Sequence, residues 1–436
     1  APLDPPALWR PPLAVFLLLP IELLLQSPYY IYSVFGALTL VGLMISLFYL
    51  MKRLGGTVAA HVSQLMILIT PAFTTLVSRQ VTILSYLLLL GAVTLSILAT
   101  LHAWSRAHWR RDVLAGLSWG IAFLARPEVV VLFGIGLLVG LVFRRRLGVK
   151  RGQAVKRVLF QTSAFLALYL PSVLIFATVR NNHNLVGQAP LVTHYAGAHY
   201  VSNRLVGDVD GSGYEESVKR FGPPEKYGHS MMRFMIANPE AVKLRVRQNL
   251  KNLPEMLRAG QLITLWDCVA FLVLSSALAL ARRPSLPSLP VMVYLASLLA
   301  ASPYFLLFHV DVRYCLLSVL LLVLCLLFIA LLWWTWVATF LNLGRLGRRL
   351  VVLPTLVLLF LCGQRAVYAL TTAPQNVVSL RPWRQLARAY REHIASGETP
   401  PVVGFVLSSG RMMFGGDSLW FSYFAHTGWP WCGHPH

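Results

Sequence analysis

One polar stretch between two hydrophobic runs gathers side chains that can bind a ligand. It extends from Arg180 to Arg258, between an apolar run that ends near Val179 and another that starts near Gln261. Its first part combines guanidinium, amide, imidazole and phenol groups, from Arg180, Asn181, His183, His194 and Tyr195. Binding groups tend to collect on loops that are held by rigid flanking elements. We expect a binding site here; residues that only satisfy one another and the helix end are the alternative.

Three arginines beside apolar runs form a second group with binding chemistry, namely Arg10, Arg126 and Arg313. A guanidinium matches phosphate through its bidentate fork. His309 and Asp311 lie in the turn before Arg313. Placing an ionisable group at membrane depth costs free energy, so such groups are usually functional. The alternatives are arginines that reach up to lipid headgroups or that pair with a neighbouring carboxylate.

The composition is that of a polytopic membrane protein. Hydrophobic residues make up 57% of the chain and charged residues 12%, whereas soluble domains carry about 25% charged residues. The net charge of +22 comes largely from short clusters between apolar runs, which argues against nucleic-acid binding. The five cysteines have neither disulfide nor metal spacing. No cluster of carboxylates and histidines is expected on the outer face, so we expect no metal and no cofactor.

The apolar runs predict ten membrane-spanning helices. A helix that spans the membrane needs roughly 20 residues. The run from Leu13 to Leu25 is shorter and predicts an interfacial or re-entrant helix. Pro127 disfavours helix at the preceding residue, so a tight turn is expected between the fourth and fifth spans. The spans are expected at about 30–50, 58–77, 81–101, 113–125, 128–143, 158–178, 262–281, 288–308, 314–338 and 350–370.

Clusters of basic residues predict the orientation of these spans. The alternate short connections carry only Arg79, Arg126 and Arg313. Because basic connections stay in the cytoplasm, both termini and the 180–258 loop are expected on the outer, periplasmic-type face of a bacterial inner membrane. We also expect a further span and part of an outer loop upstream of Ala1. The basic clusters occupy every second connection and comprise Lys52 and Arg53; Arg106, Arg110 and Arg111; Arg144 to Arg157; Arg282 and Arg283; and Arg345, Arg348 and Arg349.

The predicted fold class is an all-α polytopic membrane protein with three regions. Residues 1–29 are the rest of a first outer loop, and residues 30–370 are the transmembrane bundle including the 180–258 loop. Residues 371–436 are a small mixed outer domain. In that domain the spacing predicts an amphipathic helix around Arg388, a strand at Val402–Leu407 and a turn at Gly415-Gly416.

Short motifs in a fixed order between residues 10 and 320 resemble those of a known family. Their order and spacing resemble the multi-spanning GT-C glycosyltransferases, and most closely the branch with the protein O-mannosyltransferases and aminoarabinose transferases. The motifs are Arg10-Pro11-Pro12-Leu13; Phe35 to Thr39 followed by Lys52 to Gly56; Ala115-Gly116-Leu117 through Phe123 to Glu128; Arg180-Asn181, Gly187, Pro190 to Thr193 and Asn203; and Arg313-Tyr314.

The resemblance implies a GT-C-like helical bundle that transfers a sugar. The donor would be a polyprenyl-phosphate sugar, and the acceptor a periplasmic glycan, lipid or protein. An acceptor nucleophile would attack the anomeric carbon with inversion, while a carboxylate takes its proton. Cations would stabilise the departing lipid phosphate, where charge develops in the transition state.

The resemblance also implies roles for particular residues. Lipid-phosphate binding is implied for Arg10, Arg126 and Arg313. Binding of the sugar or acceptor is implied for Arg180, Asn181, His183, His194, Tyr195 and His309. The family's catalytic acid has no counterpart here and is expected upstream of Ala1. Asp4 and Asp267 are the candidates for that role within the chain.

Three other functions are compatible with the sequence. A polyprenyl-linked glycan flippase or transporter would need a polar path, yet the spans have almost no ionisable residues at mid-depth. An O-antigen-ligase-like enzyme would also use outer arginine and histidine with polyprenyl donors. A non-catalytic relative would keep only the lipid-sugar cavity.

Overall fold

The architecture of the chain is seen in a computed structural model and is almost wholly helical. The structure describes residues 28–69, 81–105, 108–126, 129–180, 221–227, 231–259, 271–272, 274–284, 286–303 and 312–340, with positions 13, 17, 306 and 392. These residues contain α-helices, short 3-10 turns and no strand. The predicted all-α class therefore holds for the described part of the chain. The predicted helix around Arg388, strand at Val402–Leu407, turn at Gly415-Gly416 and span at 350–370 lie outside it.

Nine α-helices, numbered in chain order, provide the frame for the described residues. They are α1 (Pro28–Ile69), α2 (Val81–Ser105), α3 (Trp109–Ala125), α4 (Val129–Val142), α5 (Arg151–Arg180), α6 (Met231–Ala237), α7 (Pro239–Ala259), α8 (Ser288–Ala301) and α9 (Val312–Phe340). Two 3-10 turns, Pro224–Tyr227 and Ala277–Leu280, lie between them. As the sequence predicts, α3 ends just before Arg126-Pro127 and α4 starts just after it.

The first helix is a hairpin of two helical arms. Gly56 interrupts it with φ 84° and ψ −173°, a conformation that glycine adopts without steric cost. Across the turn, Gln64 Nε2 donates to the Met44 carbonyl oxygen at 3.1 Å, and the rings of Phe48 and His61 lie 5.3 Å apart. The helices predicted on either side of this turn are both present as far as Ile69, where the described part of α1 ends.

Three segments are long and apolar enough to cross a membrane. They are Phe35–Leu68, which includes the turn of α1 at Gly56, Tyr86–Ser105 and Cys315–Phe340, and the apolar helices α4 and α8 are shorter. Leucines line much of the shared core that α1, α2, α8 and α9 form, and many large apolar side chains face outward. Outward apolar surface on long helices is what a lipid environment requires. The chain is therefore a helical membrane protein.

Small residues bring α3 and α5 into close contact. A Cβ at position 116 would lie 2.2 Å from the carbonyl oxygen of Gln161 and 2.8 Å from the Cβ of Ala164. One turn later, a Cβ at position 120 would lie 2.9 Å from Leu168 Cδ1. Glycines four residues apart allow helix backbones to approach in this way in membranes.

A buried polar tie joins the same two helices near the start of α3. Asp112 accepts a hydrogen bond from Gln161 Nε2 at 2.9 Å, and its other oxygen lies 3.8 Å from Arg157 Nε. The side chains of Asp112 and Arg157 are only 3% and 11% exposed. A charge buried this deeply needs a partner of opposite charge, so the pair supports the α3–α5 contact.

Connections that the sequence assigns to one membrane face lie together in the fold. Arg53, Arg111 and Arg146 come from three different connections and line one cavity. The Arg282 amide donates to the Gly55 carbonyl oxygen at 3.0 Å, and Arg283 donates to Thr339 Oγ1 at 2.9 Å. We call the end of the bundle that carries these arginines the basic end. Arg126 caps the other end of α3, which defines the opposite end.

Adding one methyl group to Gly116 should destabilise the bundle. In Gly116→Ala the new Cβ collides with a backbone carbonyl that cannot rotate away, so α3 and α5 must separate. Overpacking of this kind costs about 1–3 kcal/mol, measured as the free energy of unfolding in mixed dodecyl maltoside and SDS micelles. In the control Gly134→Ala, nothing lies within 4 Å of the added Cβ, and stability should be unchanged or rise by about 0.5–1 kcal/mol. Equal effects at both glycines would contradict the close packing.

Candidate functional site

The structure describes Arg126 completely and two other predicted site residues in part. Arg180 is the last residue of α5 and Arg313 the second residue of α9, and for both the helical backbone alone is described. The remaining predictions lie outside the described residues, namely Asp4, Arg10, Asn181, His183, His194, Tyr195, Asp267 and His309. The candidate site at the opposite end is therefore built from Arg126 and the side chains that the fold places around helix ends there.

Arg126 is held at the point where α3 stops. Its backbone is extended, with φ −158° and ψ 127°, as expected for a residue that precedes proline. Its amide donates to the Ala122 carbonyl oxygen at 3.0 Å. The backbone is thus fixed on the last turn of α3.

The guanidinium of Arg126 lies over an aromatic ring. Its central carbon is 4.2 Å from the ring centroid of Tyr86, a residue near the start of α2 that is 3% exposed. A cation so close to a ring face is attracted by the ring quadrupole. The ring restricts the guanidinium, whose planar fork of N–H groups matches the geometry of an oxyanion. Arg126 itself is only half-buried.

A helix within the predicted loop also contributes buried polar groups. Arg245 and Asn249 lie one turn apart on α7 and are 4% and 0% exposed. Asn249 Nδ2 donates to the carbonyl oxygen of Leu306 at 2.9 Å. That bond ties α7 to the segment between α8 and α9, six residues before the start of α9. The second part of the 180–258 stretch is therefore docked on the bundle.

Sequence reasoning missed Tyr86, Arg245 and Asn249. The available signal was the four-residue spacing of Ala241, Arg245, Asn249 and Leu253, the last of which packs on the main core. This spacing is typical of one helix face. Two of these four residues, Arg245 and Asn249, are polar. A search for apolar residues alone therefore does not detect this helix face and predicts a solvated loop.

The described residues provide no cluster for a metal ion, since no group of three His, Cys, Asp or Glu side chains lies close together among them. The polar side chains described for the candidate site are those of Arg126, Tyr86, Arg245 and Asn249. Such groups bind and orient an anionic or polar ligand. The expectation that no metal or cofactor is used stays a prediction.

Comparison with known proteins gives no assignment. No protein-family model matches the chain, and no curated protein or solved structure matches it. The resemblance to GT-C glycosyltransferases therefore rests on the motifs alone and stays a prediction.

The contact between Arg126 and Tyr86 should appear as a coupling energy. A double-mutant cycle of Arg126→Gln and Tyr86→Leu, scored by the free energy of unfolding in mixed micelles, should give about 0.5–2 kcal/mol. Tyr86→Phe keeps the ring face and is the control, so it should retain most of that coupling. Additive effects in the cycle would show that the ring does not hold the arginine.

Proposed function

We propose that the protein is a membrane glycosyltransferase. It takes a sugar from a polyprenyl-phosphate donor and passes it to a periplasmic acceptor, with inversion at the anomeric carbon. The reaction takes place at the opposite end of the bundle, where Arg126 lies. The resemblance of the motifs provides the reaction class, and the geometry of Arg126 provides the main structural support.

Arg126 carries the proposal because of where and how it is held. A polyprenyl chain lies in the bilayer, so its phosphate is found at the ends of the membrane helices. Arg126 lies at such an end, and the Tyr86 ring 4.2 Å away fixes its guanidinium in advance. A fixed cation stabilises the charge that develops on a departing phosphate without paying for reorganisation in the reaction.

The surrounding elements would complete the site. Arg313 is the second residue of α9 and Arg180 the last residue of α5, and α7 is fixed to the chain just before α9 through Asn249 and Leu306. The first part of the 180–258 stretch supplies the predicted sugar-binding groups. The proton of the acceptor would pass to a carboxylate, which the resemblance expects upstream of Ala1.

Transfer activity of the full-length protein in proteoliposomes tests the proposal. The donor is undecaprenyl phosphate linked to a radiolabelled sugar, and the acceptor is a preparation of native membranes. Arg126→Gln should lower the rate by about 100-fold or more, as is usual when one stabilising donor is lost. Arg283→Gln, at the basic end, removes the same charge and should change the rate less than about twofold, since it lies too far away to act on the phosphate.

Three results would contradict the proposal. Full activity in Arg126→Gln would remove this arginine from the site. Binding of undecaprenyl phosphate by the unmodified protein with no transfer would indicate a non-catalytic lipid-sugar-binding relative. Movement of the labelled donor across the vesicle membrane without covalent transfer would indicate a flippase.

A further inference from the structure

A cavity of about 300 Å³ opens at the basic end. Five connections or helix ends contribute to it: the α1 hairpin turn, the end of α2, the start of α3, the turn after α4 and the segment before α8. Its lining includes Arg53, His102, Trp104, Ser105, Arg111 and Arg146. A volume of this order is at the lower end of the range for small-ligand pockets.

We propose that this cavity binds a phosphate ester, held by Arg53, Arg111 and Arg146. It is separate from the site proposed above. Arg111 and Arg126 belong to the two ends of α3, which are roughly 22 Å apart along the helix axis at 1.5 Å per residue. The proposal does not depend on glycosyl transfer, since it rests on residues that the proposed reaction does not use.

The charge of the lining identifies an anion as the ligand. Three guanidinium groups and an imidazole line the cavity, and none of the described residues that line it is acidic. The nearest carboxylate along α3, Asp112, is turned toward α5, where it meets Gln161 and Arg157. Guanidinium groups that line one cavity attract an anion, so an anion that binds here stabilises the folded chain.

The cavity is held open by packed elements on two sides. Trp104 is 5% exposed, and its ring lies 5.0 Å from that of Tyr294. Gly140 lets α4 approach, because a Cβ there would lie 3.1 Å from Trp104 Nε1. On the other side, the hydrogen bond between the Arg282 amide and the Gly55 carbonyl oxygen fixes the turn next to Arg53. The walls of the cavity are therefore fixed before a ligand arrives.

The kinds of donors favour a phosphate over a carboxylate. Each guanidinium can present two parallel N–H groups to two oxygens of one ligand. Three forks from different directions match a tetrahedral group with three or four oxygens better than a planar group with two. The Ser105 hydroxyl donates to the His102 carbonyl oxygen at 2.8 Å and accepts from Arg111 Nη1 at 3.5 Å, so it helps to position Arg111. A soluble phosphate ester and the headgroup of an anionic phospholipid share this chemistry.

Neighbouring basic residues provide a matched control. Lys52 precedes Arg53 and Arg110 precedes Arg111, yet both are exposed and lie over the local rings of Phe48 and Trp109. Neither lines the cavity. The double variant K52Q/R110Q therefore removes two positive charges from the same connections as R53Q/R111Q, and leaves the cavity intact.

The experiment uses the full-length protein purified in detergent and has two arms. In the first, lipid-depleted protein is titrated with inorganic phosphate and pyrophosphate by calorimetry, at ionic strength held constant with chloride. In the second, the protein is placed in nanodiscs of phosphatidylcholine with or without phosphatidylglycerol, and bound phosphatidylglycerol is detected by native mass spectrometry. Saturable binding in the first arm indicates a soluble phosphate ester as ligand, and binding in the second arm alone indicates a lipid headgroup.

The variants decide whether the cavity is responsible. Binding should fall about tenfold or more in R53Q/R111Q, because two charge-assisted hydrogen-bonding groups are lost. It should stay within about twofold of the unmodified protein in K52Q/R110Q. If R53Q/R111Q does not fold, R146Q replaces it, with R145Q as its neighbour control and an expected loss of about fivefold. Equal losses in cavity and control variants, or no saturable binding in either arm, would overturn the proposal.

Discussion

A charged side chain in the middle of an apolar helical bundle costs about 2.5–3.5 kcal/mol on insertion scales. This cost determines where the charged residues of the chain lie. Among the described residues most basic groups lie near helix ends, at the turn within α1 or on α7. Arg157 lies inside the bundle, about two turns from the start of α5, and there Asp112 accompanies it at 3.8 Å. The apolar core between the ends has little more than serine and threonine hydroxyls, many of which donate to carbonyl oxygens of their own helix. Chemistry that needs charge is therefore confined to the two ends.

The two ends have different character because the chain alternates between them. At the basic end, arginines from successive connections gather around one cavity. At the opposite end, Arg126 is stacked on Tyr86, and α7 brings Arg245 and Asn249 against the bundle. Glycines fix the helices relative to one another. Gly116 and Gly120 let α3 and α5 come into contact, and Gly56 lets α1 fold back. In the proposed scheme one end carries out the transfer while the other holds a second phosphate.

Much of the helical frame could be predicted from the sequence because apolar runs and their breaks are local signals. The break at Arg126-Pro127 and the hairpin at Gly55-Gly56 follow from proline and glycine chemistry. Contacts between distant residues could not be predicted in the same way. Nothing near Asp112 indicates that Arg157 and Gln161, on another helix, will pair with it. Tyr86, whose ring contacts Arg126, likewise lies forty residues upstream. The sequence predicts a loop where α7 lies, because the buried face of α7 carries an arginine and an asparagine.

The central claim is that the basic end and the end with Arg126 and α7 face opposite sides of one membrane. Labelling of single cysteines with an impermeant maleimide tests this directly, in a background without the native cysteines. Lys52 and Lys243 are both exposed, so Lys52→Cys and Lys243→Cys report on the two ends. In intact cells stripped of the outer wall, the account predicts labelling at position 243 and none at position 52, with the reverse in inside-out vesicles. Labelling of both positions from the same side would contradict it.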